Sequence, residues 1–299
     1  MSVIVRAPAK VNLQLSVGPL RPDGYHDLLT VFHAVSLTDT ITAEPAEELL
    51  LTMSGEGAEE LPVDDANLAV RAAKLLAEHA GIEPHVALTI DKTIPIAGGM
   101  AGGSADAAGA LVACDALWRT GLGRDALAEL AAELGSDVPF ALYGGNAIGR
   151  GRGEQITPIL GRGQFHWVFA LAEHGLSTPS VYARCDELRE DEFVDEPSIS
   201  EELLQALRSG DAQLLADSLS NDLQTAAVSL RPALRGLLDA GEEYGALAGI
   251  VSGSGPTCAF LVRDGEHAID LAVALSATGA CRTVKRASGP VPGAQVITG

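Results

Sequence analysis

The sequence predicts an α+β protein built as two domains, and three observations carry that expectation. The length, 299 residues, suits about two domains of ordinary size. The first thirty residues contain a period-2 strand pattern, in which Val11, Leu13, Leu15 and Val17 alternate with Lys10, Asn12, Gln14 and Ser16. The closing third reads helix, strand, strand, helix, strand, an order that builds an α+β layer rather than a doubly wound sheet. A boundary is expected in the glycine-punctuated segment 144–163, which divides the chain into residues 1–160 and 161–299.

The elements follow in order. The alternation over residues 11–17 makes a strand with one apolar and one wet face, so Lys10 and Asn12 point the same way. Strand-like runs recur at 29–37, 40–43, 49–53 and 86–90. Residues 67–80 read as a helix, with Leu68, Ala72, Leu75 and Leu76 on one side and Gly81 as the stop. A glycine segment, Pro95 to Ser104, opens a helix to about Trp118; a second helix, 124–134, stops at Gly135, and Asp137-Val-Pro139 starts a third. After a loop-strand-loop over 144–163 come a strand at 166–172, helices at 179–188, 200–207, 212–219 and 232–240, strands at 247–252 and 257–262, a helix at 267–277 and a strand at 282–287.

Charge and composition exclude several functions. Hydrophobic residues are 47% and charged residues 20%, which rules out disordered and collagen-like chains. Lys+Arg is 20 against Asp+Glu 40, a net of −20, so broad binding to nucleic acid or to an anionic membrane is not expected and any phosphate site must be local. The acids concentrate in residues 44–65 and 186–202, which read as solvated loops and helix faces. Four cysteines form no CxxC and have no His at zinc spacing, as expected of free thiols in a reducing compartment. With no signal-peptide core and no apolar run of membrane length, a cytoplasmic protein is expected.

The 33 glycines exceed the ~7% of average proteins, and they cluster. Gly98, Gly99, Gly102 and Gly103 let backbone N–H groups converge at a helix start, an anion cradle. The spacing fits neither G-x-G-x-x-G nor a P-loop with its lysine, and a tight helix start that needs small residues competes evenly. Gly253-Ser254-Gly255-Pro256 taken alone is a hairpin turn, and Gly144-Gly145 a helix cap. Three clusters together point to a substrate held by backbone. Asp137 exposes a carboxylate at a helix start, where an ordinary N-cap is the plainer reading. Neither G-x-S-x-G nor HExxH occurs, which removes serine-hydrolase and metalloprotease chemistry.

Five segments, in order, then carry a resemblance. Residues 7–13 (APAKVNL), 21–28 (RPDGYHDL), 95–106 (PIAGGMAGGSAD), 135–139 (GSDVP) and 252–255 (SGSG) together resemble the GHMP small-molecule kinases. Within them, the lysine and DGYH segments are similar to the 4-diphosphocytidyl-2-C-methyl-D-erythritol kinase family. The resemblance runs over essentially the whole chain. It implies a GHMP kinase two-domain fold, a ribosomal protein S5 domain 2-like N-terminal domain followed by a ferredoxin-like C-terminal domain.

It also implies an activity: transfer of the γ-phosphoryl of ATP to the 2-hydroxyl of that substrate, in the non-mevalonate route to isoprenoid precursors. Lys10 and Asp137 match the catalytic pair. Pro95, Ile96, Ala97, Gly98, Gly99, Met100, Ala101, Gly102, Gly103, Ser104 and Ala105 match the ATP loop, with Asn67 and Lys92 on the nucleotide side; Lys92 reads equally as an exposed strand-end lysine. Asn12 would hold the methylerythritol or its diphosphate. Tyr25, Phe32 and Tyr182 match an aromatic clamp on cytosine and His26 its hydrogen-bonding partner. Mg is expected with ATP, with Ser104 as its possible ligand. Ala97 replaces a glycine of the family's loop, and Tyr182 stands where relatives carry Phe. The alternatives are a GHMP kinase for homoserine, mevalonate or a sugar, or a non-catalytic nucleotide sensor on the same fold. Monomer and homodimer stay open.

Overall fold

A computed structural model describes residues 2–96, 98–190 and 193–298. Ala97 of the expected loop lies outside them. The first part of the chain gives β1 (Val3–Leu20), β2 (His26–Pro45), β3 (Leu50–Gly55), α1 (Leu68–Ala80), β4 (Val86–Lys92), α2 (Gly102–Trp118), α3 (Arg124–Leu134), α4 (Val138–Tyr143), β5 (Asn146–Arg150) and β6 (Gln155–Ile159). The second gives β7 (Phe165–Leu171), α5 (Thr178–Leu188), α6 (Glu201–Ser209), α7 (Ala212–Ser218), β8 (Ser220–Asn221), α8 (Gln224–Leu230), α9 (Ala233–Glu243), β9 (Ala248–Val251), β10 (Cys258–Val262), α10 (Gly265–Thr278), β11 (Thr283–Gly289) and β12 (Gln295–Thr298).

The first sheet runs β12-β1-β2-β4-β3, with β5 pairing β2 and β6. Its helices cover one face. Within α1, Asn67 caps the first turn by accepting from the Ala69 amide, and Ala69, Ala72, Ala73 and Leu76 point inward. Full burial of Leu76 alone contributes ~2 kcal/mol. Nearly every residue of α2 from Ala105 to Cys114 is buried, as befits a helix apolar on all sides. Gly109 permits its close approach to the sheet, since a Cβ there would lie 2.4 Å from Ile41.

The second sheet is antiparallel throughout, in the order β11-β7-β10-β9. Alternation along β7 assigns its two faces: Phe165, Trp167, Phe169 and Leu171 pack into the core shared with the first sheet, while Val168 and Ala170 join the core under α9 and α10. The second sheet is thus sandwiched between its own helices and the first part of the chain. With β7, β9, β10 and β11 numbered one to four, the order is 4-1-3-2, the ferredoxin-like arrangement.

Several expectations change. The runs at 29–37 and 40–43 are one strand, β2. Segment 144–163 holds two paired strands where one was expected, and α8, β8 and β12 were not anticipated. The expected wet face of β1 is covered: Lys10, Asn12 and Gln14 are all buried. The cover comes from far along the chain, because Gln14 Nε2 donates to the Ser198 carbonyl and its Oε1 accepts from the Ser200 amide. Gly144-Gly145 caps α4 and packs against residues 291–293, so it serves the returning tail and not the cleft.

Candidate active site

Three segments converge where β1 meets the two glycine turns. The Lys10 amide donates to the Met100 carbonyl at 3.2 Å, which ties the strand to the glycine segment. Gly99 has φ 69°, and a Cβ there would stand 2.1 Å from the Ser252 carbonyl oxygen, so glycine is required where the turns touch. Ser252 Oγ donates to the Gly99 carbonyl at 3.1 Å. A Cβ on Gly253 would lie 3.3 Å from Lys10 Nζ, so the second turn lies against the lysine head. The hairpin 252–257 is therefore both a β9–β10 turn and one wall of the cleft.

Lys10 Nζ donates to Asn12 Oδ1 at 2.6 Å and faces Asp137 Oδ2 at 3.8 Å. Asn12 Nδ2 in turn donates to Thr30 Oγ1, which donates to the Gln14 carbonyl, so the row is fixed by hydrogen bonds. Burial pulls the Lys10 pKa below the ordinary lysine value, and the Asp137 charge opposes that pull. Asp137 occupies the cap position of α4 but makes no capping bond, and its side chain keeps 30% of its surface open. The plainer N-cap reading thus fails, and the carboxylate is left free beside the lysine. These groups line a cavity of about 270 Å³.

Helix α2 starts at Gly102, inside the glycine segment, with Ala101 in left-handed conformation ahead of it. Gly102, Gly103 and Ser104 consequently present first-turn amides with no carbonyl one turn back; Ala105 bonds Ala101 at 2.9 Å. Beneath this turn, Lys92 is buried and not the exposed strand-end lysine of the plainer reading. It donates to Asp39 and, at 2.6 Å, to Asp106, and Asp39 also accepts the Thr93 and Ile94 amides. Burial raises the Asp106 carboxyl to about 7, with Lys92 opposing and Asp39 reinforcing the shift. Asn67 also faces inward, holding the Pro62 carbonyl as well as the α1 cap.

At its outer end the cleft widens into a second cavity of about 570 Å³ lined by Tyr25, His26 and Tyr182. His26 stacks on Tyr182 with ring centres 5.3 Å apart, and its Nε2 lies 2.8 Å from Asp186 Oδ1. A carboxylate oxygen accepts, so Nε2 carries the hydrogen, and in the neutral imidazole Nδ1 is then the acceptor. Burial raises the Tyr182 hydroxyl pKa, so this ring stays neutral. Phe32 is placed elsewhere: it stacks on Phe140 at 4.7 Å, 5.8 Å from Lys10 Nζ, and lines the inner cavity.

Residues 67–145 match the GHMP kinases N terminal domain and residues 203–281 the GHMP kinases C terminal domain. A protein of Mycolicibacterium smegmatis named 4-diphosphocytidyl-2-C-methyl-D-erythritol kinase is 60% identical over 301 residues, covering 99% of this chain and 92% of that protein. The chain belongs to this family of GHMP kinases. A member from Streptomyces avermitilis is 58% identical, covering 99% of this chain and all of its own length. The crystal structure of a 4-(cytidine 5'-diphospho)-2C-methyl-D-erythritol kinase superposes with a TM-score of 0.78 at 34% identity, over 96% of this chain and 98% of that one. Homoserine kinase from Cytophaga hutchinsonii reaches 0.76 at 19% identity, over 99% and 97%, which speaks for the fold alone.

In this family member the structure gathers Lys10, Asn12, Asp137 and the glycine turns at one end and Tyr25, His26 and Tyr182 at the other. Sequence reading missed Thr30, Asp39, Asp186 and Arg152. Asp186 was hidden in an acidic run and Arg152 in a glycine-rich loop; their contacts are long-range, His26 to Asp186 spanning 160 residues. No helix among the described residues is long and apolar enough to cross a membrane.

Proposed function

We propose that this kinase transfers the γ-phosphoryl of ATP to the 2-hydroxyl of 4-diphosphocytidyl-2-C-methyl-D-erythritol, giving the 2-phosphate and ADP. One observation carries the reading: a lysine–carboxylate pair beside backbone donors at one end of a cleft whose other end is a stacked His–Tyr pair with an oriented acceptor nitrogen. Phosphoryl transfer needs alignment and charge stabilisation, and the first-turn amides of α2 supply donors for the phosphates without a P-loop lysine.

In the step itself, Asp137 takes the proton as the acceptor's O–H bond breaks, the oxygen bonds to the γ-phosphorus, and the bond to the β-phosphate oxygen breaks to release ADP. Lys10, held by Asn12, keeps the carboxylate in place and offsets negative charge on the attacking oxygen. On the nucleotide side Lys92 acts indirectly, holding the first turn of α2 through Asp106 from beneath Gly102, and Asn67 caps the head of α1. Tyr25 and Tyr182 give flat surfaces for cytosine, and His26 Nδ1 accepts from its exocyclic amine. Phe32 bounds the acceptor end.

The residues present fit Mg in its usual mode, in which substrate phosphates and water supply most ligands. Ser104 stands in the first turn of α2 with its hydroxyl unengaged among the described residues and would provide the protein oxygen. The ion supplies neutralisation of phosphate charge. For the chain's division we propose a glycine-loop domain over residues 1–160 and a second over 161–299. The change of sheet between β6 and β7 supports this, although β12 crosses back to β1. A cytoplasmic location accords with ATP as donor and four free cysteines.

The test is product analysis by phosphorus NMR after incubation with ATP and the cytidyl substrate. The expected product has one new phosphomonoester beside an intact diphosphate. A cleaved diphosphate, or no new monoester, contradicts the reading.

A further inference from the structure

The inner and outer cavities share five lining residues, Leu28, Ser136, Arg152, Thr178 and Tyr182, and Arg152 is the charged one among them. Its guanidinium lies over the Tyr25 ring, 5.1 Å from the ring centre, in a chain whose net charge is −20. Acids outnumber bases twofold here, yet Arg152 makes no ion pair among the described residues. Its own loop fixes its backbone instead: the Arg152 amide donates to Glu154 Oε2 at 2.7 Å.

The other cations of the cleft are differently placed. Lys10 is buried in the inner cavity and already engaged by Asn12 and Asp137, and it does not reach the outer one. A ligand with its base at Tyr25 and its reacting hydroxyl at Asp137 must pass its linker through the shared neck. When that linker is a diphosphate, the neck carries about two negative charges, and Arg152 is the side chain there that offsets them. A planar guanidinium fork matches phosphate oxygens in pairs, and stacking on Tyr25 keeps it preorganised.

We propose that Arg152 is the binding residue for the diphosphate of the nucleotide-linked acceptor, a role no motif of the sequence assigns to it. This rests on the reading of the cleft given above. It makes the loop between β5 and β6 part of substrate recognition, with Gly151 (φ 72°) and Gly153 (φ 108°) shaping the turn that presents the side chain.

Titration calorimetry of the full chain with cytidine and with cytidine 5'-diphosphate tests it, using wild type, Arg152→Ala and Arg152→Lys. The expected result is that Arg152→Ala weakens the diphosphate by ~10-fold or more while changing cytidine less than twofold, with Arg152→Lys recovering part of the loss and controlling for folding. Equal weakening of both ligands would show that Arg152 acts only through the Tyr25 ring, and unchanged affinity for both would show no role; either overturns the proposal. A wild type that binds uridine 5'-diphosphate as tightly as the cytidine compound overturns the base assignment instead. In that case the comparison of uridine with its diphosphate still reads Arg152.

Discussion

Two pairs of buried bases, Lys10 with His26 and Lys92 with His33, sit in contrasting settings. Lys10 faces one carboxylate, Asp137, at 3.8 Å, and His26 bonds one carboxylate, Asp186; these partners keep 30% and 40% of their side-chain surface open. Lys92 sits between Asp39 and Asp106, which are 0% and 3% open, and His33 lies in the core with Asn146. The first pair lines the cleft and the second holds the scaffold. The difference lies in the partner: a buried base beside a half-open acid can exchange its contact for a ligand, whereas a base locked on both sides cannot.

Breaking the cleft pair should have the largest effect on chemistry. Asp137→Asn removes the base but leaves the glycine turns, so kcat is expected to fall ~10²- to 10⁴-fold while ATP binding by calorimetry stays near wild type. A comparable kcat would remove Asp137 from the mechanism.

The core pair should fail by unfolding. Lys92→Met leaves Asp39 and Asp106 buried without their counter-charge and is expected to cost ~3–5 kcal/mol in urea denaturation. Lys10→Met should cost far less, because Asp137 can rehydrate, so equal losses in the two variants would erase the distinction.

His33 sharpens the comparison through pH. Burial pushes its pKa down to about 4, with the Asn146 bond opposing, against about 6.5 when unfolded. The folded state thus favours the neutral ring, so this stability is complete above pH 6.5 and is lost as pH falls toward 4. The loss is ~3 kcal/mol, since each unit is worth about 1.4 kcal/mol. Urea midpoints measured from pH 7 to 4 should show this slope, and His33→Gln should flatten it.

The smallest effect belongs to the partner of His26. Asp186→Ala frees the imidazole to change tautomer and is expected to reduce the preference for cytidine over uridine ligands by ~10-fold, about 1.4 kcal/mol. An unchanged preference in competition binding would mean the backbone alone selects the base.

Much of this site was legible in the residues. Period-2 alternation put Lys10 and Asn12 on one face, and the glycine clusters pointed to a substrate held by backbone, whereas the contact the structure shows is backbone against backbone, Gly99 on the Ser252 carbonyl. The motifs named the family. The burial of that face was not legible, because Ser198 and Ser200 cover Gln14 from nearly two hundred residues away. Local pattern likewise could not separate Asp186 from a solvated acidic run, or Lys92 from a surface lysine, since the partners that decide each case are brought in by the fold. The third glycine cluster misled for the same reason: Gly144 is shaped by the tail at residues 291–293.

The central claim, that this cleft phosphorylates the cytidyl-linked acceptor, is tested most directly by ADP release with 4-diphosphocytidyl-2-C-methyl-D-erythritol, homoserine, mevalonate and a sugar supplied separately at equal concentration. Turnover on the cytidyl substrate is expected to exceed that on the others by orders of magnitude. Turnover on mevalonate or homoserine without turnover on the cytidyl substrate would contradict it.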